Sequence, residues 1–258
     1  MSVKPGSVTA VILTLNEASH IQACIESLAW ADAVVVFDSY SQDDTLTIAR
    51  QAGAITHQHR FENYAQQRNA ALDAVAGSCD WLFFVDADER ATPELAAEIR
   101  SVVVEQPMAE RPEMGWYVPR HNYIFGKLTL GAGWFPDYQL RLFKHGRVRY
   151  ERPVHEVAVV DGSIGYLHNP LTHYNYHDKA QFHRTQRAYA TYEATILHAA
   201  EMRPKPQNYV LQPLRQFWWR FVTLNGFSDG WHGFWLSSMM AYYEWDKYRK
   251  LAWMWRKR

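Results

Sequence analysis

The sequence predicts an α/β fold: a mixed, mostly parallel sheet flanked by helices, with a helical appendage at the C-terminus. Three observations carry this. Short apolar runs alternate with helix-patterned segments through the first hundred residues. Each polar cluster of chemical interest falls where an apolar run ends, the edge at which parallel sheets bind ligands. From residue 207 onward the composition turns aromatic and basic. With 258 residues, 48% of them apolar, the chain can bury a real core.

Residues 8–15, VTAVILTL, read as a strand buried on both faces, because the apolar run is continuous rather than alternating. Asn16-Glu17 then makes a polar turn. Residues 20–30 carry Ile21, Ile25 and Leu28 at helical spacing. Residues 33–37, AVVVF, form a second buried strand ending at Asp38, and 39–44 are turn chemistry. A short helix over 45–52 stops at Gly53, and a brief strand covers 54–57. A further helix over 64–75 stops at Gly77. Residues 81–85, WLFFV, are the next buried strand, which ends in Asp86-Ala87-Asp88-Glu89. Thr92 caps a helix over 93–104 whose first position is Pro93. A long two-faced helix is expected over 181–202, broken by Pro204 and Pro206.

The bulk numbers exclude several classes. Lysine plus arginine equals aspartate plus glutamate at 27 each, so the whole chain has no charge-driven attraction to nucleic acid. Cys24 and Cys79 form no CxxC pair and read as two buried thiols. The N-terminus lacks a basic-then-apolar leader, and no apolar run reaches membrane-spanning length. A cytoplasmic location is therefore expected, with the inner membrane surface within reach. Seven of the twelve histidines lie between His121 and His183, yet no HExxH or comparable ligand spacing supports zinc. The turn after the first strand, TLNEAS, has neither the GxGxxG of a dehydrogenase nor a glycine-rich phosphate loop.

Asp86 and Asp88 flank an alanine at a strand end, where alternate side chains point the same way. Two carboxylates so placed can reach one hard cation, Mg2+ or Mn2+, which neutralises a diphosphate leaving group. The bland reading is a solvated acidic turn. Asp38 ends the second strand, and it either accepts from a base N–H or caps its own turn. Arg68 suits diphosphate oxygens, or is a surface arginine on a helix.

The ordered set VTAVILTLNEASHI, VVVFDSYSQDDT, AQQRNAAL and WLFFVDADE resembles family 2 glycosyltransferases of the GT-A fold. WFPDYQLRLFKHGRVRYERPVHE, PLTHYNY and the GFSDGWHGF tail resemble the small bacterial lipopolysaccharide-core subgroup. The resemblance implies a catalytic domain over 1–178, with a nucleotide-binding half (1–105) and an acceptor half (106–178), followed by a helical region over 179–258. It places Leu13, Thr14, Glu17 and Asp38 around the nucleoside, with Asp38 on the base. It places Arg68 near the diphosphate, Asp86 on the ribose, and Asp88 on the metal, with His155 as a further ligand of the metal or of the diphosphate. Asp137 falls where the family's catalytic carboxylate appears, although Pro136 replaces the usual acid before it. Glu156 is the second candidate base.

The implied reaction is an inverting single displacement, in which one carboxylate takes the proton of an acceptor hydroxyl. The donor is expected to be a UDP-sugar, with glucose as the default. The acceptor is expected to be a lipid-linked or lipopolysaccharide-core sugar. Trp116, Tyr123, Trp134 and Tyr138 are candidates to stack on sugar faces, against ordinary core aromatics, and Gly131 and Gly133 suit a mobile lid. A metal-dependent nucleotidyltransferase and a non-catalytic nucleotide-binding scaffold at the membrane are the competing readings.

The tail carries seven of the eleven tryptophans, and residues 247–258 hold six basic side chains and no acidic one. Tryptophans among cations suit a membrane interface. The alternative is a helical appendage packed on the protein.

Overall fold

The computed structural model describes residues 4–105, 112–151 and 157–256. The chain folds as two compact units, one of Met1–Arg120 with Tyr138–His173, the other of His121–Asp137 with Tyr174–Arg258.

In the first unit, β1 (Val8–Thr14), α1 (Ile21–Ser27), β2 (Ala33–Asp38), α2 (Thr45–Gln51), β3 (Ile55–Gln58), α3 (Tyr64–Ala74) and β4 (Trp81–Asp86) follow in the expected order. After the acidic turn come β5 (Glu89–Ala91), which the sequence pattern did not announce, and α4 (Pro93–Glu105). The later strands are β6 (Glu113–Val118), β9 (Gln139–Lys144), the β10 (Val148–Glu151) and β11 (Val157–Val160) hairpin, and β12 (Ser163–Tyr166). Seven strands form one sheet in the order β12-β6-β9-β4-β1-β2-β3. Neighbours are parallel except at β9, which runs antiparallel to β4 and β6. The mostly parallel α/β arrangement is thus the one expected.

Both faces of this sheet are covered, which accounts for the unbroken apolar runs. Val8, Ala10 and Ile12 of β1 join one core with Trp81, Phe83 and Val85 of β4. Val11 of β1 enters the core on the opposite face with Leu82 and Phe84 of β4. The parallel register sets Leu13 beside Asp86 and Thr14 beside Asp38, so the carboxyl ends of β1, β2 and β4 finish at one level. Cys24 and Cys79 are buried free thiols. Burial pushes the Cys24 thiol far up, despite the nearby Arg90.

The second unit pairs β7 (Arg120–Ile124) with β8 (Lys127–Thr129) in a tight hairpin. Asp178 caps α5 (Lys179–Ala199) by accepting from the Gln181 backbone N–H at 2.7 Å. α6 (Leu211–Trp218) runs into a π-helical turn (Trp219–Thr223) and a 3-10 turn (Gly226–Asp229) before α7 (Gly230–Arg256). Phe182 is the centre of this core, packed with Tyr176, Leu236 and Tyr243.

Gly131 and Gly133 were expected to loosen a lid. Instead they allow close packing: a Cβ on Gly131 would collide with the Asn225 carbonyl, and one on Gly133 with the Leu224 side chain. The Asp229 carboxylate also accepts from the Gly131 N–H at 2.8 Å.

At the start of α7, a Cβ on Gly233 would overlap the Gly226 carbonyl oxygen. Gly233→Ala is therefore expected to cost about 1–3 kcal/mol, the usual range for forced overpacking. The readout is a lowered urea midpoint of the full chain. An unchanged midpoint would show that the helix start can back away freely.

Candidate active site

A cavity of ≈ 480 Å³ opens at the carboxyl ends of β1 and β4. Leu13, Thr14, Glu17, Arg68, Asp86 and Asp88 all line it. Phe61, Tyr64, Gln67 and His173 complete the wall. Strand ends of a parallel sheet are where this fold class places ligands, and the volume suits a cofactor-sized molecule. A second cavity of ≈ 610 Å³ lies between α1 and α2, lined by Glu26 and Asp32 without a cationic side chain.

Asp86 and Asp88 reach the same cavity, but not through strand alternation. β4 ends at Asp86, and Ala87-Asp88 is a turn leading into β5. The turn forms because Glu89 reaches back to accept from the Asp86 backbone N–H at 2.9 Å. Glu89 is wholly buried, and its carboxylate binds Arg141 of β9 at 2.7 Å and Arg120 at 3.1 Å. The same Arg141 guanidinium donates to Asp86 Oδ2, while Arg68 Nη2 lies 3.8 Å from Asp86 Oδ1. Burial works to raise the Asp86 pKa, but Arg141 and Arg68 outweigh it and hold this carboxyl well below the usual range.

Arg68 is no free surface arginine: its side chain is 12% exposed. Its guanidinium packs 5.4 Å from the centre of the Phe84 ring and 5.3 Å from that of Tyr150. The next residue, Asn69, fixes the helix to β10, donating to the Tyr150 carbonyl at 2.8 Å and accepting from its N–H at 2.9 Å. Gln67 reaches Ser39 Oγ at 3.0 Å and His59 at 2.9 Å.

Asp38 is completely buried. Its carboxylate accepts from Thr14 Oγ1 at 2.9 Å, from the Ser41 N–H at 2.9 Å and from the Ser41 hydroxyl. These bonds brace the turn after β2. Glu17 lies half-buried in the turn after β1. Its burial comes first, and the negative charges of Asp88, Asp43 and Asp86 add to it, pushing the carboxyl up to about 7.

His173 Nε2 stands 3.4 Å from Asp88 Oδ2. Among the described residues, no three His, Cys, Asp or Glu side chains form a ready-made metal cage. The donor set nevertheless fits a divalent ion that keeps most of its sites for water and phosphate. Asp88 would offer oxygens and His173 a nitrogen at the cavity wall, where their side chains stand 3.4 Å apart.

Asp137 belongs to the second unit, where it accepts from Asn122 Nδ2 at 3.2 Å. His155 and Glu156 lie outside the described residues. Trp116 is packed against the main core and its ring blocks any side chain at Gly165. Trp134 packs edge-on against Tyr176 and Tyr138 edge-on against Tyr166, while Tyr123 lies tilted against Tyr174. Sequence reasoning missed Glu89, Arg141 and the place of His173. The signal for Arg141 was a lone charge inside the apolar strand QLRLF. For Glu89 it was a third acid directly after the DAD turn.

The model of glycosyl transferase family 2 matches residues 9–150, more than half of the chain. The chain belongs to that family. Over 169 residues this family 2 chain is 32% identical to the lipopolysaccharide core biosynthesis glycosyltransferase LpsC of Rhizobium meliloti. The match covers 61% of the family 2 chain and 58% of that relative's length. Glucosyl-3-phosphoglycerate synthase from Mycobacterium tuberculosis, in complex with phosphoglyceric acid, superposes with a TM-score of 0.50 at 15% identity, covering 78% of this chain and 81% of that one. Another structure of that synthase, holding Mn2+, UDP and glucosyl-3-phosphoglycerate, gives 0.49 at 17% identity over the same shares, 78% and 81%. At such identities the first likeness shows the fold alone, and that fold is the GT-A arrangement expected.

Removing one partner of a buried ion cluster leaves charge uncompensated. Glu89→Gln is therefore expected to destabilise the chain by about 3–5 kcal/mol in urea unfolding. The depressed Asp86 pKa adds a pH dependence. Its stabilising contribution is complete above the ordinary aspartate value of about 4 and is lost as pH falls below it. Wild-type stability should thus fall more steeply in that acid range than stability of Asp86→Asn. Parallel slopes would show that the arginine pairs contribute nothing.

Proposed function

We propose that this chain is an inverting, metal-dependent glycosyltransferase. It moves a sugar, glucose as the default, from a UDP-linked donor to a hydroxyl of a lipopolysaccharide-core or other envelope glycolipid acceptor. The observation that carries this is the cavity that gathers Glu17, Arg68, Asp86, Asp88 and His173 at the carboxyl edge of the sheet in a family 2 chain. The likeness to LpsC supports the lipopolysaccharide acceptor.

Leu13 and Thr14 line the nucleoside end, with Asp38 holding Thr14 in place. Asp86, kept ionised by its arginines, is the fixed acceptor for ribose hydroxyls. Arg68 meets the diphosphate, its planar donors matched to phosphate oxygens. Asp88 and His173 would hold Mg2+ or Mn2+, with His155 as a further ligand. When bound, the cation supplies charge neutralisation for the departing diphosphate. Asp137 takes the proton from the acceptor hydroxyl as its oxygen bonds to the anomeric carbon and the bond to UDP breaks. Glu156 is the alternative base. Catalysis takes place at the cytoplasmic side of the membrane, where nucleotide sugars and a lipid-linked acceptor meet.

Calorimetric titration with UDP in the presence of Mn2+, then with chelator added, tests the donor site. Metal-dependent UDP binding is expected, weakened about tenfold or more in Asp88→Asn. Preference for GDP or ADP would change the donor. No nucleotide binding at all would leave a scaffold as the better reading. Asp137→Asn should keep UDP binding while kcat falls about 10²–10⁴-fold, the usual size of a general-base contribution. Unchanged turnover would move the base to Glu156.

A further inference from the structure

The second unit carries an uncovered apolar face that the basic C-terminal residues do not make. On α6, Leu211, Leu214 and Trp218 are 60%, 61% and 63% exposed, at spacings that place them on one side of the helix. Val210 just before them is 58% exposed. An aromatic stack continues the face from α6 to the start of α7. Phe217 and Phe234 lie 5.7 Å apart, and Phe234 stacks on Trp231 at 5.1 Å. Trp231 is itself 77% exposed, the largest exposure among the big apolar side chains of the described residues. Single exposed apolar residues are ordinary, but a contiguous row of this kind marks an interaction surface.

The charge around the face selects the partner. Between Met202 and Ser228 the chain has four basic residues, Arg203, Lys205, Arg215 and Arg220, and no acidic one. Of these, Arg203, Lys205 and Arg215 are exposed, Arg203 with its guanidinium 4.7 Å from the centre of the Trp255 ring. Arg220 is turned inward, donating to the Ala132 carbonyl at 2.7 Å. By contrast two cations near the end of α7 are already engaged. Arg249 and Lys250 pair with Asp246 at 2.6 and 3.0 Å, and Trp255 donates to the Met202 carbonyl at 2.8 Å.

We propose that the α6 face, with Trp231, docks in the plane of an anionic lipid bilayer. Tryptophan and leucine enter the headgroup boundary, and Arg203, Lys205 and Arg215 meet lipid phosphates. No described helix is long and apolar enough to cross a membrane, so the contact is with one surface. This deepens the glycolipid-acceptor reading above and rests on it only for its purpose, since the face exists whatever the donor.

The test is flotation of the full chain with phosphatidylcholine vesicles, with and without phosphatidylglycerol. A variant, L211S/L214S/W218S, is compared after circular dichroism and calorimetric UDP titration match it to wild type. Wild type should float with the anionic vesicles and much less with neutral ones. The variant should partition about tenfold or more weakly, in line with the apolar area it no longer buries. Failure of wild type to float, or equal flotation of the variant, would overturn the proposal. Concentration-dependent dimerisation that the variant abolishes, with no flotation, would overturn it in favour of a second copy as the occupant. UDP binding is read separately, so a failed membrane contact leaves the donor site standing. Should the triple variant misfold, R203E/K205E supplies the same comparison through the loss of anionic-lipid preference.

Discussion

One buried guanidinium organises the candidate site. Arg141 sits on β9 with almost no solvent contact and must be neutralised where it lies. It binds Asp86 at the end of β4 and Glu89 at the start of β5, which forces the chain between them into a tight acidic turn. Such a cluster adds little net stability over an apolar one of the same shape, because desolvation opposes the attraction. What it does contribute here is position. Asp86 is held ionised at the sheet edge, and Asp88, one residue past Ala87, is left facing the cavity with His173.

The opposite wall is built by different physics. The buried residues of α3 include Gln67 as well as Ala65, Ala71 and Leu72, so the helix is not held by an apolar stripe alone. Asn63 caps it, Gln67 ties it to Ser39 and His59, and Asn69 clasps the backbone of Tyr150. Directional bonds of this kind set the rotation of a helix about its axis, which packing of small alanines would leave loose. Arg68 therefore has a fixed aim, steadied by Phe84 and Tyr150.

Much of this was legible in the sequence. The β/α order through residue 105 follows from continuous apolar runs and glycine stops, and the register of parallel neighbours then brings residues 13–17, 38 and 86 to one edge. Six of the residues singled out from sequence line a single cavity. Illegible were the features that depend on long-range partners. Nothing local says that the arginine in QLRLF is buried, since the acids that neutralise it lie some fifty residues earlier. Asp86 and Asp88 line one cavity through a turn rather than through strand alternation, because Glu89 ends the strand at Asp86. The lid expected at Gly131 and Gly133 failed for the same reason. Their lack of a side chain makes room for the Asn225 backbone and the Leu224 side chain, which no local pattern reveals.

The two native cysteines have a practical corollary. Cys24 and Cys79 are both buried, and burial raises both thiols above their ordinary values. Thiolate is the reactive form, so neither presents a nucleophile to reagents in solution. A cysteine introduced on an exposed helix face becomes the one fast site for maleimide chemistry. Fluorophores or spin labels can thus be attached at chosen points without first stripping the chain of its own sulfur.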